Sequence, residues 1–212
     1  MNVRVFRQKD QTSAPWAGGV TTQLGIWPDG AGYARGDFGW RLSSAQVVAG
    51  ESQFTELRGV MRHLMCLEGS MEIIHNEGEP AHLTPFLAYR FDGGISTVSH
   101  CDMPITDFNL MTRGACKGKI QAVNKNIRTI LLKPRSELHF QCLYTLCEKI
   151  KISVGHPSEQ PLYEEVLFRG DFMQIAYDHE PLAVGMSGAC DVGEHGITVI
   201  SAGISCAGFA EA

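Results

Sequence analysis

The residues with the most chemical content lie in Asp107-Phe108-Asn109-Leu110-Met111-Thr112-Arg113-Gly114. At the strand period of two, Asp107, Asn109, Met111 and Arg113 share one face, and Phe108, Leu110 and Thr112 share the other. One face therefore carries a carboxylate, an amide and a guanidinium, and the other is mostly apolar. A small polar ligand can use an acceptor, a donor and a fork together. The alternative is an amphipathic strand that faces bulk water, which needs no such mixture.

Two further stretches supply matching groups. In Phe38-Gly39-Trp40-Arg41-Leu42-Ser43-Ser44-Ala45-Gln46-Val47, Arg41 and Ser43 fall on the side with Ala45 and Val47, while Trp40, Leu42, Ser44 and Gln46 fall on the other. A cavity wall or a solvated edge would each suit that pattern. Val60 to Ile74 reads as two strands in a hairpin turning at Glu68-Gly69, with Arg62, Leu64 and Cys66 on one face and His63, Met65 and Leu67 on the other. Arg62 and His63 cannot both point inward, so one of them is expected at the surface. Trp16, in SAPWAGGV, could lie over a cavity or plug the core beside a turn, and Gly18 and Gly19 permit positive φ or a close approach there.

Metal chemistry on strands needs ligands at i and i+2, and none of the eight histidines (63, 75, 82, 100, 139, 156, 179, 195) has another two residues away. Nor is there a nucleophile elbow, a phosphate loop or a recognisable Cys-His arrangement. The expectation is no metal, no cofactor and no catalytic residue.

These groups sit in a chain of 212 residues with 44% hydrophobic content, enough for a sizeable core. A net charge of −5 without a Lys/Arg cluster lacks the footprint of a nucleic-acid binder. No export signal or membrane-spanning run is visible. Seven dispersed cysteines without a C-x-x-C pair fit reduced thiols in a cytoplasm.

The elements that must position the site are strands. Short runs of β-branched and aromatic residues are separated by Gly, Pro and Asp turns, and no long helical period occurs, so the chain reads as an all-β barrel or sandwich. The strand number suits two barrel-like halves, residues 1–124 and 125–212, with Lys133-Pro134-Arg135-Ser136 as a linker or sharp turn.

PW-AGGVTTQ, DFGWRLSSAQV, RHLMCLEG, PFLAYRFDGG and DFNLMTRG together resemble the HutD/Ves family of cupin-like proteins in order and spacing, from Pro15 to Gly114. The resemblance implies a cupin-like double barrel (bicupin) of the RmlC-like jelly-roll type. It also implies a bacterial protein of histidine utilisation that binds formylated or formimino derivatives of glutamate as a restraint on that pathway; Ves members are linked to stress or cold responses. Where the family carries Lys-Asn after the tryptophan this chain has only Ala17, and Gln23-Leu24 replaces the Arg-Glu that follows the two threonines.

The combined expectation is a metal-free, cytoplasmic sensor or regulator binding a small anionic, formylglutamate-like metabolite. In it Trp16 serves as lid, Arg41 and Arg62 hold carboxylate, and Ser43 and Asn109 meet the amide or formyl group. Asp107 holds an arginine, and Arg113 is a second fork or part of the scaffold. No nucleic acid or membrane partner is expected, and a homodimer is compatible with the sequence. An enzyme using the same pocket and an interaction scaffold are the rival readings.

Overall fold

The computed structural model describes residues 1–133, 137–188 and 195–207. Residues 134–136 of the expected linker, and Cys190, lie outside the described residues. The strands are β1 (Asn2–Phe6), β2 (Thr12–Trp16), β3 (Gly19–Trp27), β4 (Trp40–Val47), β5 (Gly50–Gln53), β6 (Val60–Glu68), β7 (Met71–His75), β8 (Ala81–Leu83), β9 (Tyr89–Asp92) and β10 (Thr97–Cys101). They continue with β11 (Ile105–Arg113), β12 (Cys116–Asn124), β13 (Thr129–Leu132), β14 (Leu138–Thr145), β15 (Lys149–Gly155), β16 (Tyr163–Phe168), β17 (Phe172–Tyr177), β18 (Leu182–Ser187) and β19 (Ile197–Cys206). The only helical element among the described residues is a single 3-10 turn, Gln8–Asp10.

Two compact units result, one of residues 11–119 and one of residues 1–10 with 120–212. In the second, the sheets run β1-β17-β14-β19-β12 and β13-β18-β15-β16. Leu143, Ile152, Val154, Leu167, Met173, Ile175, Val184 and Val199, all without solvent exposure, fill its interior with apolar side chains. The first strand joins this unit by pairing with β17. Arg7 fastens the join, donating to Asp171 at 2.9 Å and meeting Glu165 at 3.1 Å; the backbone amides of Val166 and Phe168, and then Arg7, hold the Glu165 and Asp171 carboxyls below their usual range against the effect of burial.

The 11–119 unit has sheets β2-β3-β4-β11-β6-β9 and β5-β10-β7-β8. The stretch Val60 to Ile74 is therefore not a hairpin: β6 pairs with β11 and β9, and β7 pairs with β10 and β8. A two-residue connection with Gly69 at φ 71° carries the chain from one sheet to the other, which a short turn in sequence does not distinguish from a hairpin. Thr12–Trp16 is an exposed edge strand.

Alternation along the central strands is as expected, but both faces are buried. Trp40, Leu42, Phe108 and Leu110 on one face are at most 1% exposed, and Arg41, Ser43, Asp107 and Asn109 on the other are also buried. The second face is the interior of the unit. It is apolar toward one end, where Ala45, Val47, Cys66, Met71, Ile73, Leu83, Cys101 and Ile105 cluster, and polar toward the other.

Cys66, Cys101 and Cys142 are free and buried. Cys116, Cys147 and Cys206 are disulfide-bonded, contrary to the expectation of reduced thiols. Dispersion along the chain does not report distance once strands pair.

Candidate functional site

The register of β11 builds the polar end rung by rung. Met111 has Arg41 opposite it on β4 and Arg62 opposite it on β6, and Asn109 has Ser43 and Leu64 in the same places. Directly opposed residues of antiparallel strands share a face. Arg41, Ser43, Arg62 and Asn109 are thus brought together on the interior face, and each is under 8% exposed.

Arg41 donates from Nε to Gln23 Oε1 at 3.1 Å and from a terminal nitrogen to Ser43 Oγ at 3.1 Å. Arg62 donates to the Thr55 carbonyl at 2.7 Å and lies over the Phe54 ring at 5.3 Å. Neither guanidinium is ion-paired to a carboxylate among the described residues. Burial pulls the pKa of both below the usual arginine value, and for Arg41 the nearby charge of Arg62 pulls further. Arg62 Nε and Asn109 Oδ1 are buried with no hydrogen-bond partner. Two desolvated cations, an orphan donor and an orphan acceptor on neighbouring rungs are costly unless something else satisfies them.

Asp107 does not hold an arginine. It lies opposite Ala45, four residues along β4 from Arg41 and therefore about 13 Å away along the strand, beyond the reach of that side chain for an ion pair. Its Oδ1 accepts from the Ala45 amide at 3.2 Å. Burial pushes its carboxyl up to about 7, against the lowering effects of that amide, Arg62 and Arg41.

Trp16 and Arg113 stand apart from the cluster. Trp16 pairs with Gly19 and is 40% exposed, so it is not a core plug, and a Cβ on Gly18 would fall 2.3 Å from its ring. Gly19 in turn faces Val47, six residues and about 20 Å along β4 from Arg41. Arg113 is exposed at the end of β11 and donates to the Gly36 carbonyl. His63 and Arg62 are both buried, on opposite faces, so neither is the surface residue expected of the pair.

Sequence reasoning missed Tyr33, Phe54 and the Thr55 carbonyl. Tyr33 lies in the loop between β3 and β4, where Gly, Pro and Asp content signalled only a connection, yet its ring stacks on Arg41 with 4.5 Å from Cζ to the ring centre. Gln23 stood out only as a departure from the family pattern. A cleft of about 520 Å³ lies on the other face of the sheet, where Met61, His63, Arg90, Asp92, Thr112 and Lys117 are among its lining residues.

The HutD family model matches residues 8–181. The chain belongs to the HutD family. Its fold is similar to that of HutD from Pseudomonas fluorescens SBW25, at 20% identity and a TM-score of 0.72, covering 98% of this chain and 100% of that one. A conserved protein of unknown function from Pseudomonas aeruginosa PAO1 is similar at 22% identity and a TM-score of 0.73, with the same coverage. A mutant oxalate decarboxylase of Bacillus subtilis matches at 8% identity and a TM-score of 0.59, over 95% of this chain and 76% of that one. The fold of this HutD member is therefore a cupin-like double barrel. No curated protein matches it.

Cupin relatives raise the question of a metal, and the donors present do not fit one. The interior positions of β6 are Arg62, Leu64 and Cys66. Among the described residues no group of three or more His, Cys, Asp or Glu side chains is placed to hold an ion. No helix of the described residues is long and apolar enough to cross a membrane.

Proposed function

We propose that the interior of the 11–119 unit binds a small anionic metabolite of the formyl- or formiminoglutamate class, and that the protein is a sensor or regulator of histidine utilisation rather than an enzyme. The observation that carries this reading is the pair of buried guanidiniums flanking Met111 without a carboxylate partner among the described residues. A carboxylate supplies the missing countercharge, in the planar geometry that a guanidinium matches. An acylated or formimino nitrogen supplies the N–H that Asn109 Oδ1 lacks. Family membership and the name of the Pseudomonas fluorescens neighbour support the connection to histidine utilisation.

Calorimetry with N-formyl-L-glutamate, formimino-L-glutamate, L-glutamate and a set of dicarboxylates tests it. Binding by an acylated glutamate, lost in Arg41→Ala, supports the reading. No binding by any compound at millimolar concentration sinks it and leaves the scaffold reading. Conversion of a bound compound to product moves the assignment to an enzyme.

A further inference from the structure

The two guanidiniums share a neighbour that belongs to no strand. Tyr33 covers Arg41 with its ring, and it lies near enough to Arg62 to raise the pKa of that guanidinium against the effect of burial. The loop that presents it is held from several sides. Asp37 accepts from Gly32 N and from Arg35 Nε, each at 2.7 Å, Gly36 N bonds Gly32 and Tyr33 carbonyls at 3.1 Å, and Arg113 donates to Gly36 O. Tyr33 also stacks on the buried Phe38, with ring centres 6.4 Å apart.

A guanidinium has donors only, so toward Arg62 the phenol oxygen can serve only as an acceptor. With a lone pair turned to Arg62, the phenol proton points away from that cation and is left to give to something else. The two guanidiniums that Tyr33 adjoins are donors and cannot take it. An anion lying between Arg41 and Arg62 can.

We propose that Tyr33 is the third donor of the anion site, its O–H donating to a carboxylate oxygen of the ligand that Arg41 and Arg62 bind. This deepens the reading above and rests on it. The ring blocks one face of the Arg41 guanidinium, so the ligand meets that residue at its N–H edge. Arg113 serves the site indirectly by holding the loop that carries Tyr33.

Tyr33→Phe keeps the ring on Arg41 and Phe38 and deletes only the hydroxyl. Hydrogen bonds to charged groups are strong enough that its loss weakens binding of N-formyl-L-glutamate about tenfold or more in calorimetry. Fluorotyrosine at position 33, a more acidic phenol and stronger donor, tightens binding, and it supplies the test should Tyr33→Phe fold poorly. Equal or tighter binding in Tyr33→Phe, or weaker binding with fluorotyrosine, overturns the role of Tyr33 while leaving the site. If the unsubstituted protein binds none of the acylated glutamates or dicarboxylates, the site and Tyr33's part in it fall together.

Discussion

Asp107 and Cys66 stand directly opposite each other across the β11–β6 ladder, inside the 11–119 unit, and the charge of Asp107 opposes ionisation of Cys66. Burial first, and then Asp107, push the Cys66 thiol up to about 12, so it is inert as a nucleophile. The carboxyl itself, at about 7, changes charge near neutrality. Around it, Cys101 is also raised by burial, and Arg41 and Arg62 are the cations that hold the Asp107 value down.

This fixes the sign of a pH effect on stability. An acid whose folded-state pKa is raised favours the folded state when protonated, so its contribution is fully present below the unfolded value near 3.8 and is lost as pH rises through about 7. At ~1.36 kcal/mol per unit, the penalty above neutrality is a few kcal/mol. His63 and His75, whose values are lowered by burial, act oppositely, losing stability as pH falls through their range. Comparison with Asp107→Asn cancels them. Denaturation at pH 4 to 8 should show the gap between Asp107→Asn and the unsubstituted protein widening in favour of the variant as pH rises; a constant gap would contradict the raised value.

Only glycine fits at position 19. Its φ is 149°, and a Cβ there would lie 1.9 Å from the Gln46 carbonyl oxygen. Backbone on β4 cannot yield as a flexible side chain does. Gly19→Ala should destabilise the fold by about 2 kcal/mol or more, whereas Gly114→Ala, with open space around its Cβ, should cost less despite its φ of 62°. Chemical denaturation of the two variants checks the order.

The two faces of β11 should separate by phenotype. Phe108 is 1% exposed, and Phe108→Ala should cost about 3–5 kcal/mol. Asn109 Oδ1 is buried and unpartnered, so Asn109→Ala removes a group that the free protein does not satisfy and should leave folding nearly intact while weakening ligand. The reverse pattern in urea melts would mean that the strand's faces are assigned backwards.

How far the site was legible follows from what periodicity reports. Alternation placed Arg41 with Ser43, Arg62 with Leu64 and Asp107 with Asn109, because side-chain direction on a strand depends only on parity. It could not say which rungs meet. Asp107 and Arg41 share a face yet sit four residues apart in register, so the expected pair does not form. Tyr33 was invisible for a different reason: loop residues have no period, and its place over Arg41 depends on contacts far along the chain, such as Arg113 with Gly36. The all-β class was legible from turn spacing, whereas the sheet change at Gly69 was not, since the same turn serves a hairpin.

Metal content follows from the interior donors. With Arg62, Leu64 and Cys66 where a chelating strand would present its ligands, the purified protein should carry no stoichiometric transition metal, and chelator should leave its melting temperature unchanged. One tightly held equivalent of Zn, Fe, Mn or Ni by elemental analysis would refute this.

Binding of an anion should be linked to uptake of a proton. Arg41 and Arg62 both lower the Asp107 value in the free protein. The negative charge of a carboxylate seated on them offsets that influence and raises the Asp107 value further. At a pH near 7 the carboxyl then takes up part of a proton as ligand binds. Affinity should accordingly be higher at pH 6.5 than at pH 8, opposite to what loss of ligand charge would give. Arg41→Ala should abolish binding, and Arg41→Lys should restore little of it, because a point charge lacks the planar fork. Calorimetry with N-formyl-L-glutamate in buffers of different ionisation enthalpy measures the proton directly. Heats that depend on the buffer in the unsubstituted protein and cease to do so in Asp107→Asn are the expected result, and buffer-independent heats in both proteins would show that Asp107 does not sense the ligand.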